Sequence, residues 1–294
     1  MRVVSDRIQK LAVIGLGLIG GSLARALREA GQVEHVVGCG RSAENLQRGL
    51  ELGVIDSFTH DVAEAVVDAD MIFVAVPLGA MRDVFAQMNG RLASHAVITD
   101  GGSAKGSVIT DFNAVCAQHA KQFVPGHPIA GTENNGVEAS FAQLYNDRRV
   151  IITPTSNSSS QAIMRVTDMW QACGAEVVNM DVQHHDEVLA ATSHLPHMLA
   201  FGLVDVLARM DEHDDIFRYA AGGFRDFTRI ASSNPVMWRD ICLANKDALS
   251  KMIVGFADEL NMLAKAVEEG DAERLLEIFE TAKKARDSYV DGLN

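Results

Sequence analysis

The chain has 294 residues, 48% of them apolar and 22% charged, with a formal net charge of −13. This is globular composition, with enough chain for two domains at roughly 100–200 residues each. So acidic a chain has no general attraction for phosphate backbones or anionic lipid. That excludes nucleic acid and membrane surfaces as partners and leaves any anionic substrate to locally placed Arg or Lys.

Residues 11–15 read as a buried strand, 18–30 as a helix ending at Gly31, 33–38 as a second strand, and the stretch to about Leu52 as a second helix. The apolar run 11–19 is interrupted by Gly15 and Gly17 and no small-residue cleavage site follows, so it reads as strand and turn rather than a secretory signal. Strong strands are predicted at 71–76, closed by Pro77, and at 96–99, with two more at 150–153 and 176–180. Short apolar strands alternating with amphipathic helices imply βαβ units and a doubly wound, mainly parallel sheet. Beyond about residue 181 the strand pattern stops. Residues 184–210, 235–268 and 271–289 read as long helices, the second opened by Asn234-Pro235, an N-cap followed by a first-turn proline. The expected architecture is an α/β Rossmann domain over 1–180 followed by an all-α domain over 181–294.

The stretch 189–210 is strongly apolar, yet His194, Pro196, His197 and Asp205 make it too polar for a membrane span. It reads as a helix buried between the subunits of a homodimer. Cys39, Cys116, Cys173 and Cys242 are far apart, with no CxxC pair or zinc spacing. They read as reduced thiols, which points to the cytoplasm.

Gly15-Leu16-Gly17-Leu18-Ile19-Gly20 directly follows the first strand and opens the first helix, the context in which GxGxxG signals a dinucleotide. Gly15 permits the tight turn, Gly17 lets the backbone approach the pyrophosphate, and Gly20 lets helix and strand pack closely. The helix start at Leu18 and Ile19 then offers free N–H groups and a positive dipole end to phosphates. An NAD enzyme usually ends its second strand with Asp or Glu for the ribose hydroxyls. Here Gly40-Arg41-Ser42 stands instead. Arg41 can pair with a 2′-phosphate and Ser42 can hydrogen-bond it, so NADP is favoured, with NAD possible if Arg41 only stacks on adenine.

Four further segments narrow the chemistry: Asp100-Gly101-Gly102-Ser103-Ala104-Lys105-Gly106, Gly126-His127-Pro128-Ile129-Ala130-Gly131-Thr132-Glu133, Ser193-His194-Leu195-Pro196-His197, and the stretch from Gly222 to Ile241 containing Arg229 and Trp238. Together with the glycine turn, they resemble the prephenate and arogenate dehydrogenases over residues 10–265, in a short form without a fused mutase or regulatory domain. The resemblance implies hydride abstraction from C4 of a cyclohexadienyl acid, with loss of CO2 and aromatisation. His127 corresponds to the family histidine that hydrogen-bonds the 4-hydroxyl, and a neutral imidazole suits that task. Ser103 corresponds to the serine that orients it, with a plain N-cap as the alternative role. Arg229 matches the arginine that binds the ring carboxylate bidentately. His197 matches a residue near the substrate side chain and Trp238 an aromatic at the pocket edge, with core or dimer packing as its alternative role; Thr132 and Glu133 match the site mouth, where Glu133 would gate Arg229.

His194 is open between substrate contact and an interhelical hydrogen bond, and His184-His185 reads as a solvated helix start. The pair His194 and His197 lacks a third ligand, so no metal is expected. Two rivals remain. A β-hydroxyacid dehydrogenase would use a lysine such as Lys246 or Lys251, but neither lies in such a motif. A non-catalytic dinucleotide-binding regulator would not need His127, Ser103 and Arg229. Keto versus amino on the substrate side chain, prephenate against arogenate, stays open in the sequence.

Overall fold

A computed structural model describes residues 7–132, 134–211 and 213–291. Six strands, β1 (Ile8–Ile14), β2 (Val33–Cys39), β3 (Ser57–Thr59), β4 (Met71–Val74), β5 (Val97–Asp100) and β6 (Phe123–Val124), form one sheet in the order β3-β2-β1-β4-β5-β6. Every pairing in it is parallel. The connections are α1 (Leu18–Glu29), α2 (Ala43–Glu51), α3 (Val62–Ala65), α4 (Met81–Met88) and α5 (Lys105–Cys116). This is the doubly wound order expected, with its reversal between β1 and β4, where such sheets bind ligands beyond the strands' carboxyl ends.

Strands covered on both faces must be apolar throughout, and Leu11, Ala12, Val13 and Ile14 of β1 are all buried. Leu11 and Val13 pack into one core with α1; Ala12 and Ile14 pack into the other with α3, α4 and α5. The second core is anchored by Phe112 stacked on Phe123, with ring centroids 4.1 Å apart.

The strands expected at 150–153 and 176–180 do not extend this sheet. β7 (Gly126–Pro128), β8 (Arg149–Ile152) and β9 (Glu176–Asn179) form a separate three-stranded sheet, antiparallel then parallel, with α6 (Ser160–Ala172) between β8 and β9. The break falls at Pro125, which has no N–H to carry the β6 ladder onward and whose carbonyl accepts instead from Thr153 at 2.9 Å.

From residue 182 on, all regular structure among the described residues is helical. α7 (Val182–Leu189) passes through one π turn, Ala190–His194, into α8 (Leu195–Ala208), whose first turn contains Pro196. A proline that withholds its N–H and crowds the preceding turn accounts for the local widening. α9 (His213–Arg218), α10 (Gly222–Thr228) and α11 (Pro235–Ala244) follow, and Asn234 caps α11 as expected by accepting from Val236 and Met237. The single helix expected over 235–268 is broken at Asn245, before α12 (Lys246–Glu269). Asn245 leaves helical geometry because its buried side chain is used in the site described below. Gly270, in the left-handed region at φ 68°, separates α12 from α13 (Ala272–Asp291).

By compactness the chain forms two units, Met1–Lys246 and Asp247–Asn294. Residues 181–246 belong with the α/β body, tied to it by the side chains of α7. No helix among the described residues is long and apolar enough to cross a membrane.

Candidate active site

The glycine turn has the geometry a dinucleotide needs. Gly15 sits at φ 102°, and a Cβ there would fall 2.3 Å from the Ala75 carbonyl. A Cβ on Gly20 would fall 2.3 Å from the Gly15 carbonyl and 2.7 Å from Val13, so α1 rests directly on β1. A Cβ on Gly17 would meet nothing within 4 Å; it opens onto the space a pyrophosphate takes. α1 has no side-chain cap and no acid in its first turn. The amides around Leu18, Ile19 and Gly20 are therefore left for an anion. The turn is held from behind: Asn45 Nδ2 donates to the Leu16 carbonyl at 2.5 Å while its Oδ1 accepts from Val137, and the Tyr145 hydroxyl donates to the Ile19 carbonyl at 2.6 Å. Sequence reading missed both residues, because they stand alone in segments without a motif.

At the end of β2, Arg41 is exposed. Ser42 caps α2, its oxygen accepting from Asn45 N at 3.1 Å, and its own proton stays available to a second acceptor. A side chain at Gly40 would meet only Leu46, at an ordinary 3.7 Å.

β5 ends on a buried ion pair. Lys105 Nζ donates to Asp100 Oδ2 at 2.5 Å and to the Gly126 carbonyl at 2.6 Å, with both side chains fully buried. Asp100 accepts in turn from Gly102 N at 2.8 Å and Gly126 N at 3.1 Å. The pair holds both the N–H and the carbonyl of Gly126 and so sets the position of His127, the next residue on β7. Burial pulls the Lys105 pKa down, and Asp100 opposes it.

His127 is 8% exposed. Its Nδ1 lies 2.9 Å from Nε2 of His185, and His185 Nδ1 lies 2.8 Å from Asp186 Oδ1. The expectation that His185 is solvated is corrected here: it is fully buried, while its neighbour His184 is exposed. The first turn of α7 faces α5, where the Asp186 carboxylate accepts from Lys105 N and Gly106 N, both at 2.8 Å. Asp186 is thus the cap of α5, so the N-cap alternative for Ser103 does not hold; α5 begins after Ala104, and Ser103 is half-buried in the turn before it. His127 Nδ1 and His185 Nε2 share a hydrogen bond. Burial first, then electrostatic repulsion from the neighbouring His185, Lys105 and His194, pushes the His127 pKa well below 6.5.

His194 is 1% exposed; its Nδ1 lies 3.1 Å from Asn245 Nδ2, which also donates to the Asp186 carbonyl at 2.8 Å. Because Asn245 donates to Nδ1, the His194 proton stands on Nε2, which has no partner. Burial pushes the His194 pKa down to about 4. His197 stacks on Trp238 with ring centroids 3.6 Å apart, and its Nδ1 lies 2.9 Å from the Ser193 carbonyl. The buried Trp238 Nε1 is also without a partner. Arg229, exposed at the end of α10, is near enough to help lower the His197 pKa, which burial lowers first. Thr132 is exposed and accepts from Asn134 N. Glu133 lies outside the described residues. Among the described residues no group of three His, Cys, Asp or Glu is arranged to hold a metal ion.

Sheet order, glycine turn and a buried histidine beyond the strand ends define a nicotinamide-dependent dehydrogenase of Rossmann type. Two family models divide the chain between them: prephenate dehydrogenase, nucleotide-binding domain, over residues 23–179, and prephenate dehydrogenase, dimerization domain, over residues 181–281. The chain belongs to the prephenate dehydrogenase family. It is 41% identical over 278 residues, 94% of each chain, to the cyclohexadienyl dehydrogenase of Zymomonas mobilis. It resembles a crystal structure of Aquifex aeolicus prephenate dehydrogenase in complex with hydroxyphenyl propionate and NAD+, at TM-score 0.88 and 37% identity, covering 95% of this chain and 97% of that one. A crystal structure of Synechocystis arogenate dehydrogenase matches at TM-score 0.79 and 25% identity, covering 96% and 100%.

Proposed function

We propose that the chain oxidises prephenate to 4-hydroxyphenylpyruvate and CO2, with arogenate as the alternative substrate, giving tyrosine. The observation that carries this reading is the buried, neutral His127 with Nδ1 occupied by His185, next to a dinucleotide turn in a chain matched over residues 23–179 and 181–281 by the two models of one family. The bound nicotinamide supplies the hydride acceptor. His127 Nε2 takes the proton of the 4-hydroxyl as the C4–H bond gives up its hydride and a carbonyl forms. The electron pair of the breaking C1–carboxylate bond then completes the aromatic ring as CO2 leaves. Arg229 holds the ring carboxylate before departure, Ser103 meets the hydroxyl, His197 bounds the side chain and Trp238 the pocket edge, with Thr132 at the mouth.

The cofactor reading is NADP ahead of NAD. It is supported by glycine at position 40, the exposed Arg41 and the spare Ser42 proton; the NAD+ of the A. aeolicus complex weighs the other way. The assembly reading is a homodimer. Met198, Leu203 and Val206 of α8 are 38%, 37% and 54% exposed, an apolar face of the kind a second subunit covers, and light scattering at micromolar concentration should return a dimer. Four cysteines free of disulfides support a cytoplasmic setting.

The test is a steady-state matrix of prephenate and arogenate against NADP and NAD, read by absorbance of the reduced cofactor. Turnover with one cyclohexadienyl acid is expected, and reduction with neither would overturn the proposal.

A further inference from the structure

A neutral imidazole carries one proton, and the partners on its two nitrogens decide where that proton sits. Asp186 is fixed as a carboxylate: its oxygens take the Lys105 and Gly106 amides at the start of α5, where the helix dipole favours an anion. Its pKa is lowered although burial, the largest influence, raises it; the hydrogen bonds from His185 and these two amides prevail. A carboxylate only accepts, so the proton of His185 is on Nδ1, 2.8 Å from Asp186 Oδ1. In a neutral His185, Nε2 has a lone pair and accepts from His127 Nδ1, 2.9 Å away. His127 carries its single proton on Nδ1, and Nε2 is left as a bare acceptor.

We propose that His185 and Asp186 are positioning residues that hold His127 in the one tautomer able to take a proton from substrate through Nε2. This rests on the proposed role of His127. The opposite tautomer would present Nε2–H to the substrate hydroxyl, a donor where an acceptor is needed. Asn245, donating to the Asp186 carbonyl and to His194, ties the same turn of α7 to the π turn, so the relay cannot rotate away from β7. The sequence hides this arrangement, because His185 is separated from His127 by 58 positions and sits beside an exposed histidine.

The decisive measurement is made on the full chain without substrate. Nitrogen NMR of 15N-histidine-labelled protein, with the His127 resonances assigned by their loss in His127→Asn, should show Nδ1 protonated and Nε2 bare. In His185→Leu the His127 signals should move toward a mixture of tautomers, with kcat down about 10–100-fold and KM within about threefold, since a misoriented base fails in the transition state. His185→Gln replaces the acceptor with an amide oxygen and can still donate to Asp186; it should recover most of the kcat lost in the leucine variant. A wild-type His127 protonated on Nε2, a His185→Leu variant with tautomer and kcat unchanged, or a glutamine variant as impaired as the leucine one would each overturn the proposal. If the chain turned over neither cyclohexadienyl acid, the proposed function would fall while the tautomer, read without substrate, would still stand or fall by itself.

Discussion

Replacing Lys105 by Met tests whether the ion pair beneath His127 sustains the fold. The substitution keeps the stem of the side chain and removes its charge. Asp100 would then be a fully buried carboxylate holding only the Gly102 and Gly126 amides, and the Gly126 carbonyl would lose its 2.6 Å donor. Breaking a buried ion pair from one side costs about 3–5 kcal/mol. Two amides still face Asp100, which argues for the lower end, about 3 kcal/mol, and an orphaned buried carbonyl adds about 1 kcal/mol or more. A total of about 4 kcal/mol lowers Tm by roughly 8–16 °C in a domain of this size. Urea melts of wild type, Lys105→Met, Asp100→Asn and the double variant measure it. The double variant should lose less than the sum of the singles, because removing both charges removes the uncompensated one. A Lys105→Met protein within about 1 kcal/mol of wild type, or strictly additive losses, would refute the reasoning.

Three other outcomes are expected. His127→Asn should keep substrate binding and lose about 10²–10⁴-fold in kcat, and turnover within a few-fold of wild type would remove it from the proton transfer. Arg229→Ala should raise KM about 10–100-fold with a smaller change in kcat, the loss of a charge-assisted contact made in ground and transition states alike; an unchanged KM would place the ring carboxylate elsewhere. For His194 the folded pKa of about 4 lies below the unfolded value near 6.5. Its neutral form therefore stabilises the fold fully above pH 6.5, and about 3 kcal/mol of that is lost as the pH falls from 6.5 to 4. Urea melts across that range should slope less steeply for His194→Gln than for wild type, and equal slopes would deny His194 this role.

The elements that position the cofactor were legible because their signals are local. A tight turn needs Gly15 and close helix packing needs Gly20, and both follow the unbroken apolar run 11–14. The break at Asn245 was not legible, since 235–268 keeps a helical pattern straight through it and only the tertiary hydrogen bonds to His194 and Asp186 explain the interruption. The second sheet escaped for a similar reason: 150–153 and 176–180 look like any buried strand, and pairing with β7 instead of β6 is decided by Pro125. Lys105 stands in a motif that does not disclose its role, because the depth of a side chain is not written in its neighbours. His185 reads as solvated because it lies at a helix start, yet there one turn exposes His184 and buries the next residue.

The question left by a net charge of −13 is how such a chain holds a dianionic substrate. Around His127 the charges cancel in place: Lys105 against Asp100, and Asp186 against the amides of α5 and the His185 proton. Burial keeps His127, His194 and His197 below their usual pKa, so the base enters the reaction neutral. Among the described residues Arg229 makes no ion pair, and its charge is left facing outward from α10 near His197. On the proposed reading, attraction of the anion and acceptance of the proton fall to different places. A cation next to His127 strong enough to hold a carboxylate would stabilise that carboxylate against leaving as CO2. A carboxylate bound at a distance from the base can be recognised in the ground state and released in the next step. Binding and turnover should accordingly respond to different substitutions, Arg229 governing KM and the His127–His185–Asp186 line governing kcat, and a variant of either that moved both equally would mean the two tasks share one set of groups.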